Sequence, residues 1–169
     1  MVPATVSVHR LSVDDVHRRV ELVQGVLVDM VPIGPEHDGA LEWLNSRFTR
    51  AETEAWRVRV QSVLLTAGGY LLPDLLLVAP LPRTVQPSTA HLAIEVAQTS
   101  QARDLVKVRD YAAADVDEYW IVDLPARTVT VHRYPLAGAY QEATTFADGE
   151  TITPLLPDAP AVDVSALLG

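Results

Sequence analysis

A single domain of the α/β (α+β) class, with a mixed β-sheet flanked by helices, is what this chain predicts. Three observations predict it. Helix-like and strand-like patterns interleave in the order helix, hairpin, helix, several strands, helix, strands, which suits helices packed on a sheet. Two strand-like runs, Leu71 to Val78 and Leu92 to Ala97, are apolar apart from one carboxylate each, Asp74 and Glu95. No internal repeat, low-complexity stretch or Gly/Ser linker divides residues 1–169, a length that one core can serve.

The elements follow in order. Ser12-Val13-Asp14-Asp15 is a helix start, with Ser12 as N-cap and Asp15 at N3 in a role like that of a capping box. Glu21 to Val28 reads as two strands around a Gln24-Gly25 turn. Gly34-Pro35 opens a second helix, since proline suits the first helical position. There His37, Leu41, Leu44, Phe48 and Ala51 form one stripe at steps of four and three. Trp56 to Thr66 alternates arginine with apolar residues, as a half-buried strand does. Ala67-Gly68-Gly69 turns the chain into the strand of Asp74, and Pro80, Pro82 and Pro87 punctuate the loop before that of Glu95. Residues 101 to about 114 form a helix with Leu105, Val108 and Ala112 inward. Strands follow at Glu118 to Asp123, Arg127 to Tyr134 and Tyr140 to Phe146, and then a proline-rich tail to Gly169.

Composition narrows the function classes. With no cysteine, disulfide frameworks and thiolate metal sites fall away. No apolar run reaches the roughly 18 residues of a membrane span, and the first residues lack the basic and apolar regions of a secretory signal. A cytoplasmic location and no membrane partner are expected. A formal net charge of −9 argues against a protein that coats nucleic acid electrostatically. It leaves a metal-dependent catalyst with an acidic exterior untouched.

The chemistry centres on two acids and one lysine. A carboxylate in an apolar strand costs several kcal/mol unless it is paired, hydrogen-bonded or bound to metal. Pro73 cannot donate to a ladder, so it marks a strand start or a splayed edge where Asp74 and Glu95 could converge. Twelve of the thirteen basic residues are arginine, and the exception is Lys107, twelve positions after Glu95. Two carboxylates for a hard cation and an ammonium beside them suit metal-assisted phosphodiester hydrolysis with Mg²⁺ or Mn²⁺. Arg103 and Arg109, on the same helix as Lys107, are weaker candidates for contact with DNA phosphate. His37 heads an apolar stripe, where a structural histidine is expected over a ligand, and the five histidines show no zinc spacing. Gly68-Gly69 is a turn and no phosphate cradle.

The residues Pro73-Asp74, Ile94-Glu95-Val96, Asp104, Lys107, Tyr111 and Glu118-Tyr119-Trp120-Ile121-Val122-Asp123 together resemble the Uma-two family of restriction endonucleases, within the PD-(D/E)XK nuclease superfamily. Glu21-Leu22-Val23-Gln24-Gly25, His37 and Gln61 add to the resemblance, which spans roughly residues 10 to 160. It implies a restriction-endonuclease-like core with a central sheet of four or five strands. It implies Asp74 and Glu95 as metal ligands, Lys107 as the catalytic lysine, Gln61 and Glu21 as auxiliary groups, and products bearing a 5′-phosphate and a 3′-hydroxyl. The superfamily's usual lysine, two residues after the glutamate, is Ala97 here, and the family pattern moves it to the following helix, at Lys107. The spacing from Asp104 to Lys107 is one residue shorter than usual, and Asp115 stands where the family commonly has glycine.

The leading expectation is a Mg²⁺-dependent DNA endonuclease. Two rivals belong to other classes. One is a catalytically silent nuclease-fold protein that binds DNA or regulates, which a missing ligand would betray. The other is a structural homo-oligomeric module, whose buried acids would pair with arginines. A two-fold homodimer is also expected, because cutting both strands takes two sites. Tyr119-Trp120 and Val162 to Leu168 are the expected interface, and Arg47, Arg50, Arg57 and Arg59 the expected basic rim.

Overall fold

The computed structural model describes residues 20–23, 26–29, 34–98 and 103–169. The helix start at Ser12 and the turn at Gln24-Gly25 lie outside the described residues. Strands β1 (Val20–Val23) and β2 (Val26–Asp29) pair antiparallel, Val23 opposite Val26. Helix α1 (Pro35–Thr49) follows, with Pro35 in its first turn and His37, Ala40, Leu41, Leu44 and Phe48 buried along the anticipated stripe.

The stretch Trp56 to Thr66 is two strands, β3 (Arg57–Val60) and β4 (Leu64–Thr66), where the alternating pattern predicts one. Gln61 breaks it with φ +48°, a left-handed conformation that a continuous strand cannot contain. The break sends β3 and β4 into different sheets. β4 pairs with β5 (Gly69–Leu71), which pairs with β1, giving the order β2-β1-β5-β4. The main sheet contains β3, β6 (Leu75–Val78), β7 (Leu92–Ala97), β8 (Glu118–Asp123), β9 (Thr128–Leu136) and β10 (Ala139–Ala147). Its order is β10-β9-β8-β7-β6-β3. It is mixed: β7 and β8 run parallel, and its other neighbours antiparallel. Helix α2 (Arg103–Ala113) is the crossover that a parallel pair requires. Six strands replace the expected four or five. The proline-rich tail also holds structure, a short β11 (Thr151–Ile152) and β12 (Val162–Asp163) pair followed by α3 (Val164–Leu168).

Helices cover both faces of the main sheet, and this explains its apolar strands. On one face Leu75, Leu77, Leu92, Ile94, Val96, Trp120 and Val122 pack with the buried stripe of α1 and with Val164 and Leu167 of α3. On the other, Leu76, Val78, Ala93 and Tyr119 pack with Tyr111 of α2. Tyr119, Trp120, Val162, Val164 and Leu167 are all buried here. The surface anticipated for a dimer is therefore spent on the chain's own core, because Trp120 and the C-terminal helix are needed to close the α1 face.

Candidate active site

The register of β6 and β7 builds the site. Leu75 is opposite Ile94 at the end of the ladder, and Asp74 and Glu95 each lie one position beyond that pair. The ladder ends there because Pro73 has no N–H to continue it. Past that point the Asp74 side chain takes a bond from β7: Val96 N–H donates to its Oδ2 at 2.9 Å. On the other side Gln61 N–H donates to the Asp74 carbonyl at 2.9 Å. Asp74 is 6% exposed, and a carboxylate buried that deeply must be held by donors.

One of those donors comes from α1. His37 Nε2 lies 3.1 Å from Asp74 Oδ2, and both side chains are buried. The start of α1 is in turn tied to the end of β7, where Gly34 N–H donates to Gln98 Oε1 at 3.1 Å. A Cβ on Gly34 would stand 2.4 Å from Gln98 Nε2, so a larger residue there would push the Gln98 amide aside. His37 and Gln98 were not assigned to the site from sequence. His37 sits 37 positions from Asp74 on an ordinary apolar stripe, and the local hint was only that a polar residue heads that stripe beside a helix start.

Glu95 is held from the opposite helix. Lys107 Nζ donates to its Oε2 at 2.8 Å, and Tyr111 OH donates to its Oε1 at 2.6 Å. Lys107 and Tyr111 are four apart on α2 and so share a face, which a Lys-x-x-x-Tyr spacing signals once the helix is known. Glu95 and Lys107 are each about one-seventh exposed, at 15% and 14%, so their pair is screened less than one in open water. Glu118 is a different kind of acid. Fully enclosed, it accepts from Trp120 Nε1, Arg133 Nε and Leu155 N–H, and its work is to join β8, β9 and the tail.

The remaining candidates are placed as follows. Gln61 is exposed at the end of β3, its backbone on Asp74. Glu21 lies in β1, opposite Val28. Arg103 begins α2. Arg109 is exposed on α2, about 200° around the axis from Lys107. Arg47 and Arg50 are at the C-terminal end of α1, ten residues or more beyond His37, which is about 15 Å along the helix. Arg47 donates to the Ala161 carbonyl and covers the Trp43 ring at 5.3 Å. Those two arginines therefore do not rim the cleft, because α1 meets the site with its first turn.

Asp74 and Glu95, near adjoining strand ends and with a lysine against Glu95, offer carboxylate oxygens of the kind a hard divalent cation takes. No group of three or more His, Asp or Glu among the described residues is arranged to hold an ion. Among the described residues no helix is long and apolar enough to cross a membrane.

The architecture is shared with a solved structure described as a putative nuclease belonging to DUF820 from Anabaena variabilis, with a TM-score of 0.75 at 15% identity over 88% of this chain and 89% of that one. At that identity the likeness shows the nuclease fold. No curated protein matches the chain. The sequence model of the Uma2 family, described as "Putative restriction endonuclease", matches residues 7–165, nearly the whole chain, so the protein belongs to the Uma2 family.

Proposed function

We propose that the protein is a Mg²⁺- or Mn²⁺-dependent endodeoxyribonuclease with a PD-(D/E)XK-type site, acting in the cytoplasm on DNA. The observation that carries the reading is the junction of β6 and β7: Asp74 is fixed there by Val96 N–H, and Glu95 on the next strand receives Lys107. Asp74 and Glu95 would hold the ion. Once bound, it supplies polarisation of the scissile phosphate and a water of lowered pKa. Lys107 brings a positive charge that stabilises the negative charge developing on phosphate. Tyr111 keeps Glu95 Oε1 in place while Lys107 shifts from Oε2 to the substrate. The opposed helices exclude bulk water from the strand ends, which strengthens each of these interactions. Family membership and the nuclease fold support phosphodiester hydrolysis as the reaction class.

The test is hydrolysis of single- and double-stranded DNA by wild type and by Asp74→Ala, Glu95→Ala and Lys107→Ala. Wild type should cleave with Mg²⁺ or Mn²⁺ and be inert with Ca²⁺, and each variant should lose at least about a hundredfold in rate, by analogy with the loss of one charge-stabilising group. A wild type inert on every substrate, or variants that cleave as well as it does, would remove the reading.

A further inference from the structure

We infer that His37 is a positioning residue for the metal-binding carboxylate of Asp74, an assignment that rests on the proposed metal site and deepens it. Asp74 Oδ2 takes two donors from two elements, Val96 N–H of β7 and His37 Nε2 of α1. An ionised carboxylate is acceptor-only, so the ring must carry its proton on Nε2 to make this bond. That tautomer leaves Nδ1 as the other ring nitrogen, and Nδ1 is buried without a hydrogen-bond partner among the described residues. Asp38 Oδ1 stands 3.8 Å from it, beyond hydrogen-bond range.

A histidine kept only to fill the core would gain nothing from this arrangement. Burying an imidazole with one nitrogen unsatisfied costs stability that an apolar side chain of similar volume would not. What His37 adds is a second anchor on Oδ2, set against the first, so that the carboxylate can neither rotate nor drift as the strand ends splay. The rest of α1 is built to hold that anchor. Pro35 starts the helix, Gln98 binds Gly34 N–H, and Leu41, Leu44 and Phe48 lock the same stripe into the core. Groups that orient a ligating carboxylate in this way change metal affinity by roughly 10- to 100-fold when removed.

The experiment measures Mn²⁺ binding by calorimetry and by electron paramagnetic resonance in the full chain without DNA, together with the thermal midpoint. The proteins compared are wild type, Asp74→Ala, His37→Leu and His37→Gln. The Gln amide can reach about as far as Nε2 and restore a donor, whereas Leu cannot. His37→Leu is expected to weaken Mn²⁺ binding about tenfold or more with its thermal midpoint close to wild type. His37→Gln should regain most of the affinity. If His37→Leu does not fold, His37→Asn replaces it, because its shorter amide stops short of Asp74, and it must show the same loss. Wild-type affinity in His37→Leu, or a loss that Gln does not rescue, overturns the inference while Asp74→Ala still reports on the metal site. Wild type and Asp74→Ala that both fail to bind Mn²⁺ overturn the metal site and the inference together.

Discussion

Asp115 has φ +53° just past the last turn of α2, where Val116 N–H returns to the Tyr111 carbonyl and Asp115 N–H to that of Ala112. This is the left-handed position that ends many helices, and it favours glycine. The departure from the family pattern noted at this residue therefore has a physical reading: the backbone shape is kept, and aspartate tolerates it better than most side chains. The shape matters to the site because the same turn fixes Tyr111, which holds Glu95. Asp115→Val should cost about 1–2 kcal/mol in chemical denaturation, and Asp115→Gly should stay within about 1 kcal/mol of wild type. Equal stability of the Val and Gly variants would show that the left-handed backbone is not what this position selects. At this scale the sequence revealed unequally. Asp74, Glu95 and Lys107 stood out by contrast with their surroundings, as acids in apolar runs and a lone lysine among arginines. His37 did not stand out, because what makes it informative is a bond to a residue 37 positions away.

Among the elements, α2, β7 and β8 were the most legible, whereas the strand expected from Leu71 to Val78 is broken at Pro73, with β5 ending at Leu71 and β6 starting at Leu75. Continuous apolar runs and a 3.6-residue stripe survive any register, and Glu118–Asp123 is found with the expected bounds. What escaped was non-local. β11 and β12 are two-residue strands defined only by each other, whereas the strand expected at Tyr140 to Phe146 is found as β10. On the α2 face a row of rings crosses β8, β9 and β10. Tyr111 stacks on Tyr119 at 4.2 Å, Tyr119 on His132 at 5.9 Å, and His132 neighbours Tyr140 at 5.8 Å. Burial holds the His132 pKa below its ordinary value of 6.5, and burial also pushes the Tyr140 hydroxyl up, with Asp117 and Glu118 adding to it. For His132 the sign is that of a group harder to protonate when folded. The unfolded chain takes up its proton as pH falls through 6.5, and the folded chain does so only lower. The stability contributed above that value is lost as pH drops below it, at no more than about 1.4 kcal/mol per pH unit. His132→Phe keeps a ring in the row and removes the proton. Melting curves from about pH 7.5 to 5 should show wild type losing stability relative to this variant. Parallel curves for the two proteins would mean that the ring is as solvated as a free imidazole.

At the scale of the whole molecule the question is how a protein with a net charge of −9 grips a polyanion and cuts both of its strands. One chain offers a single β6–β7 junction, and among the described residues several arginines are occupied with carbonyls and carboxylates. Arg47 holds Ala161, Arg57 holds Trp56, Arg127 holds Asp148, and Arg133 holds Glu118 and Thr153. Two sites brought together would supply both cuts and double whatever basic surface remains, which is the argument for a two-fold homodimer. Its interface must differ from the one that the sequence first indicated, since Tyr119, Trp120 and the apolar face of the C-terminal helix are interior. Among the described residues the exposed large apolar side chains fall in two places. Val60 in β3, Leu65 in β4 and Leu81 and Val85 in the β6–β7 loop form one, where Leu65 N–H binds the Pro87 carbonyl, and Tyr134 and Leu136 lie on the β9–β10 hairpin. Light scattering at micromolar concentration should give twice the 18.4 kDa of the single chain, and the mass should persist in high salt because apolar burial, unlike charge pairing, is not screened. Leu65→Glu and Leu136→Glu, each made alone, would then identify which of the two places is buried between subunits. A mass of 18.4 kDa at every concentration would refute the dimer and leave a nuclease that nicks one strand at a time.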